Sequence, residues 1–162
     1  MTKIIPPEVQ KTYEWIYDTQ IKILKGGAEQ IDPAFIMVKH GHAAVFALPQ
    51  MENERDKDMA AFVMRRLTDK TQPDITFYVS EAWVSHCQPG DIVDGLPKVA
   101  PRNDPHHLDA LTIIAQWKGG TAQMVTPILH APDKTRSIAE EPPALDSLEC
   151  TGRFVVPIEE TA

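Results

Sequence analysis

The chain has 162 residues and a formal net charge of −7, with 43% hydrophobic and 24% charged residues. That length suits a single domain able to bury roughly 70% of its unfolded surface, so the core needs no staples. An acidic chain with no run of Lys and Arg lacks the basic patch that phosphate contacts demand, which excludes a general nucleic-acid binder.

The acidity is concentrated at one end. Residues 131–162 carry seven acidic and three basic side chains, so this stretch supplies −4 of the −7. The two cysteines, Cys87 and Cys150, form no C-x-x-C pair and no zinc spacing, and they read as ordinary thiols in a reducing cytosol. The segment Met1-Thr2-Lys3-Ile4-Ile5-Pro6-Pro7 offers no apolar run of signal-peptide length, and no stretch approaches a membrane span. The expectation is a cytoplasmic chain that binds neither membrane nor nucleic acid.

The first predicted element is a helix over 7–25. Pro7 suits the first turn, where its missing N–H costs nothing. Val9, Tyr13, Ile16, Tyr17 and Leu24 recur at helical spacing, and Lys25-Gly26-Gly27 stops the helix. A hairpin follows, with apolar runs at 35–38 and 43–46 around Lys39-His40-Gly41-His42; Gly41 can take the positive φ of a tight turn. The second helix spans 54–69, with Asn53 as N-cap. Met59, Phe62, Val63 and Leu67 are its expected core stripe.

A strand over 75–85 comes next. A stretch without periodicity, 86–108, carries Pro89, Gly90, Gly95, Pro97, Pro101 and Pro105; long loops of this kind are often functional. Strands at 109–118 and 121–130 flank Gly119-Gly120, with Trp117 expected opposite Ala122. Residues 131–152 read as loosely ordered. The segment 153–158 has the composition of a short edge strand, with Pro157 against a central place. The chain thus divides into a domain over 1–130 and an acidic, proline-containing tail over 131–162.

The order helix-β-β-helix-β-β-β predicts an α+β fold. A five-stranded antiparallel sheet with two helices on one face is the economical packing, profilin-like or roadblock-like by topology. Such an analogy licenses no function.

Glu81 is the candidate with the clearest physical warrant. Along 75–85 the odd positions, Ile75, Phe77, Val79 and Trp83, are apolar, and Glu81 lies in their midst. A carboxylate on that face needs a partner or has its ionisation disfavoured. The structural reading is an ion pair with an arginine such as Arg102 that fixes the loop. The catalytic reading makes Glu81 an acid or base, with Arg102, His106, His107 and Asp109 supplied by the loop. The remaining histidines, His40, His42, His86 and His130, add no metal motif. Ser80, Ser85, His86 and Cys87 are neighbours in sequence without being a triad. Neither Gly26-Gly27 nor Gly119-Gly120 makes a phosphate loop. No cofactor is expected.

The strand ending Val79-Ser80-Glu81-Ala82-Trp83, the proline-rich loop, and Pro101-Arg102-Asn103-Asp104-Pro105-His106-His107-Leu108-Asp109-Ala110-Leu111 together resemble small proteins of bacteria and their phages. The likeness spans about 34–130. His106-His107 stands where that pattern tends to carry an arginine. The resemblance implies no activity.

Three functional readings follow. One is a non-enzymatic binding or assembly module, partnered by a second copy or another protein through a sheet edge. The second is a small hydrolase or metal-assisted enzyme built on Glu81 and the 86–108 loop. The third has the acidic tail address a basic partner, although its charges are dispersed among prolines.

Overall fold

A computed structural model of the chain describes residues 4–84, 92–93, 96–97 and 108–147. Helix α1, Pro7–Lys25, begins on proline as expected and ends with Gly27 at a φ of 90°. Strand β1, Ala34–Lys39, turns through His40 and Gly41 into β2, His42–Ala47. Both turn residues have positive φ, 51° and 77°, as a type I′ hairpin requires. Asp74 secures the turn by accepting the His40 N–H at 2.9 Å. Helix α2, Glu54–Thr71, is capped by Asn53, whose side chain accepts the Asp56 N–H at 2.9 Å.

Strand β3, Ile75–Val84, is followed by a small ribbon of β4, Ile92–Val93, and β5, Leu96–Pro97, inside the stretch expected to lack structure. Then come β6, Leu108–Trp117, and β7, Gly120–Pro127. The chain continues through β8, Leu129–His130, and β9, Arg136–Ser137, which pair with each other, to β10, Asp146–Ser147.

Among the described residues the main sheet has six strands rather than five, in the order β10-β7-β6-β3-β1-β2, with every neighbouring pair antiparallel. The sixth, β10, comes from the region read as tail. The last hairpin is also shifted from its expected register. Its turn is Lys118-Gly119, and Trp117 faces Gly120, while Ala122 faces Ala115. The shift leaves room for an indole: a Cβ on Gly120 would lie 2.4 Å from the Trp117 ring.

The two helices lie on opposite faces of the sheet, against the expectation of one shared face. Val9, Tyr13, Ile16, Tyr17 and Leu24 of α1 cluster with Ile36, Val38, Ile75, Phe77, Val79, Leu111 and Ile113. Met64 of α2 clusters with Phe35, Met37, Leu48 and Tyr78 on the other side. The reason is visible in β1, where Phe35-Ile36-Met37-Val38 is apolar at every position and buried at every position. A strand without alternation is a strand covered on both faces.

The face of α2 turned to the sheet is Ala60, Ala61, Met64 and Thr68, which are buried. Met59, Phe62 and Val63, expected in the core, are 55%, 56% and 40% exposed. Met64 is the main anchor of this helix in the cluster, with Leu67 packed beside it, and Met59, Phe62 and Val63 point to water.

Residues 131–147, expected to be loosely ordered, are laid across α1. Ile138 and Leu145 are buried in the α1 cluster. The Tyr13 and Tyr17 hydroxyls donate to the carbonyls of Pro143 and Ala139. The expected strand at 153–158 lies outside the described residues.

Candidate functional site

Two features stand out: a charged clamp around Glu81, and an open sheet edge at β2.

Glu81 sits on the α1 face of β3, as the alternation predicts, with its side chain 20% exposed. Its partner is Arg136 of β9, whose Nη2 lies 2.6 Å from Glu81 Oε1 and whose side chain is 8% exposed. The Ile31 N–H donates to the same oxygen at 3.2 Å. Asp109 reaches the same place from β6. In the β3–β6 register Asp109 is paired with Trp83 and Leu111 with Glu81, which makes the two acids diagonal neighbours on one face. Arg136 Nη2 is 3.8 Å from Asp109 Oδ2, and its Nη1 donates to the Glu29 carbonyl. His130, opposite Arg136 in the β8–β9 register, places Nε2 3.1 Å from Asp109 Oδ2.

One guanidinium therefore ties together β3, β6, the segment after α1 and the 136–147 strap. A planar fork with several donors suits this multivalent role, which a lysine could not fill. The Arg136 guanidinium thus lies directly against the Glu81 carboxylate, joining β9 to β3.

Of the predicted site residues, Glu81 and Asp109 are brought together. Arg102, His106 and His107 lie outside the described residues. Sequence reasoning missed Arg136 and the role of His130. A signal for them existed in Ala131-Pro132-Asp133-Lys134-Thr135, a turn sequence between two short extended runs. In the fold Asp133 accepts the Thr135 N–H at 3.0 Å, Lys134 has a φ of 69°, and the Ala131 N–H donates to the Thr135 carbonyl. Hydrogen bonds from the Thr135 side chain and N–H hold the Asp133 carboxyl below its ordinary pKa. Among the described residues, no group of three or more His, Cys, Asp or Glu side chains is placed to share a metal ion. No helix among them is long and apolar enough to cross a membrane.

The second feature is β2 itself. Among the described residues it is the outermost strand of the sheet, and all six of its residues are exposed. Val45 is 57% and Phe46 37% exposed. Lys39 and His42 close a two-residue turn, so they form a hydrogen-bonded pair, as do Met37 with Ala44 and Phe35 with Phe46. The Leu48 N–H donates to the Pro33 carbonyl at 2.9 Å, which continues the same alternation. Ala43, Val45 and Ala47 therefore turn their N–H and C=O groups outward, away from β1.

The opposite edge is managed differently. There β10 is only two residues long and carries Asp146, and short, charged edge strands deter pairing. From Ala43 to Ala47, β2 has neither a charge nor a proline.

Comparison with known proteins gives no match: no family model fits the chain, and no curated protein or solved structure is significantly similar to it.

Proposed function

We propose that this protein is a non-enzymatic binding or assembly module that works by strand addition at β2. The observation behind this reading is the exposed, uncharged edge from Ala43 to Ala47, backed by a buried β1 and set by a type I′ turn. Such an edge presents regularly spaced donors and acceptors to any extended segment, and its side chains offer apolar contact on both faces. The exposed Met59, Phe62 and Val63 of α2 add apolar surface of the kind that marks protein contacts. The pairing of Glu81 with Arg136 supports a framework role for the carboxylate that a catalytic reading would employ.

Backbone NMR during titration with a short, uncharged, extended peptide is the direct test. Amide shifts should concentrate at Ala43, Val45 and Ala47 and spare α1. A titration that leaves those amides unmoved would sink the reading.

A further inference from the structure

Resting on that strand-addition reading, we infer that the partner at the β2 edge is a second copy of this chain, paired antiparallel about a two-fold axis between the two Val45 residues. A two-fold antiparallel pair sets residue i opposite residue j with a constant sum, and outward-facing residues must meet outward-facing residues. The outward set, Ala43, Val45 and Ala47, is symmetric about Val45. An axis at Val45 therefore pairs Val45 with its own copy and Ala43 with Ala47 of the other, so every outward donor and acceptor is used. Centring on Phe46 would set Ala43 against Pro49, which has no N–H to give. Centring on Ala44 would carry Ala47 past the strand, to Gly41 in the turn.

The side chains agree with this register. Val45 lies on the α1 side of the sheet, opposite Ile36, and the two copies of Val45 would meet there, flanked by Ala43 and Ala47. Phe46 lies on the α2 side, opposite Phe35, and would face Ala44 of the other copy. Bulky residues thus meet small ones across the joint, except at the axis, where two β-branched side chains make a favourable cross-strand pair.

Charge points the same way. A charge close to the axis would lie near its own copy, and 43–47 contains none. The formal −7 on each copy still repels at long range, so association should strengthen with added salt. A six-residue edge buries less than the roughly 1,600 Å² of a standard interface, so the dimer should be weak and concentration-dependent.

The test combines light scattering after size exclusion over a wide concentration range with hydrogen exchange. The full chain should shift from monomer to dimer as concentration rises, and Val45→Lys should stay monomeric with an unchanged circular dichroism spectrum. Under mild oxidation Val45→Cys should form a symmetric disulfide joining the substituted position of one copy to that of the other, identified by peptide mapping. Hydrogen-bonded antiparallel pairs have Cα atoms about 5.5 Å apart, within disulfide reach. A dimer that survives Val45→Lys would overturn this inference, because another surface would be responsible. A monomer at every concentration, with rapid exchange at Ala43, Val45 and Ala47, would overturn self-pairing and leave strand addition standing. A monomer with slow exchange at those amides would overturn both.

Discussion

Arg136 links three separate stretches of the chain through one side chain. It is 8% exposed and serves Glu81, Asp109 and the Glu29 carbonyl at once. Removing one member of a buried pair strands the other charge, so Arg136→Met should cost about 3 kcal/mol. The double variant Glu81→Met/Arg136→Met should cost clearly less than the sum of the two single changes. Urea denaturation of all four proteins gives the coupling, and strict additivity would show that the pair is not a clamp. At the far end of β6, Gly120→Ala should cost about 1–3 kcal/mol, because its methyl would collide with the Trp117 ring. Glu81 was legible from alternation alone, since a carboxylate in an apolar row announces a partner. The identity of that partner was not. Nothing local distinguishes Arg136, 55 positions away, from Arg102, and only the long-range docking of β9 makes the choice.

Among the elements, α1 and α2 teach different lessons. In α1 the helical period marks the buried face correctly. In α2 the expected stripe is only partly right: Leu67 packs against the core, while Met59, Phe62 and Val63 face water. Periodicity reports a hydrophobic stripe, not what lies against it, and Ala60, Ala61 and Thr68 carry too little hydrophobicity to reveal a buried face. Phe62→Glu should therefore leave the melting temperature almost unchanged, within about 0.5 kcal/mol. By contrast, Met64→Ala should cost about 2–5 kcal/mol. A large loss from the first change would mean that α2's outer face is covered in solution.

The strap on α1 gives a pH prediction. Burial raises the pKa of the Tyr17 phenol, and burial with the neighbouring Tyr17 and Glu14 raises that of Tyr13. Both groups ionise more readily unfolded than folded. Their contribution is thus complete below pH 10 and fades as pH climbs past 10 toward the raised folded values. Chemical denaturation at about pH 9 and pH 11 should show this alkaline loss. Tyr13→Phe/Tyr17→Phe should shrink it, with a remainder from Tyr78, which burial also raises. An unaltered alkaline slope in the double variant would show that these phenols are not responsible.

At the scale of the whole molecule, the fold is three layers, α1, sheet and α2, with the 136–147 strap running beside α1 into the sheet edge at β10. The α+β class and the antiparallel sheet were readable from element order and turn residues. The layering was missed: β1 is an apolar run without alternation, the mark of a strand covered on both faces, yet both helices were expected on one face. The strap was not readable, because a proline-rich acidic composition hides two buried residues, Ile138 and Leu145, among exposed ones. Ending the chain after residue 130 would remove those side chains together with Arg136. Such a truncated protein should lose cooperative melting or melt far lower than the full chain. If it melts as sharply and as high, the strap is an ornament on a domain already complete.

The position of Arg136 also bears on how the protein is made. Ribosomes deliver a chain from its N-terminus at roughly 5–20 residues per second. Glu81 and Asp109 emerge well before Arg136, so two acids destined for one site must wait in solution for their shared cation. The hairpin, both helices and the long β3–β6 pairing can form during that interval, yet α1 cannot be covered until the last quarter of the chain appears. Closure is thereby deferred until the strap emerges, and a ribosome stalled before residue 136 would hold a sheet whose first helix is still without its cover.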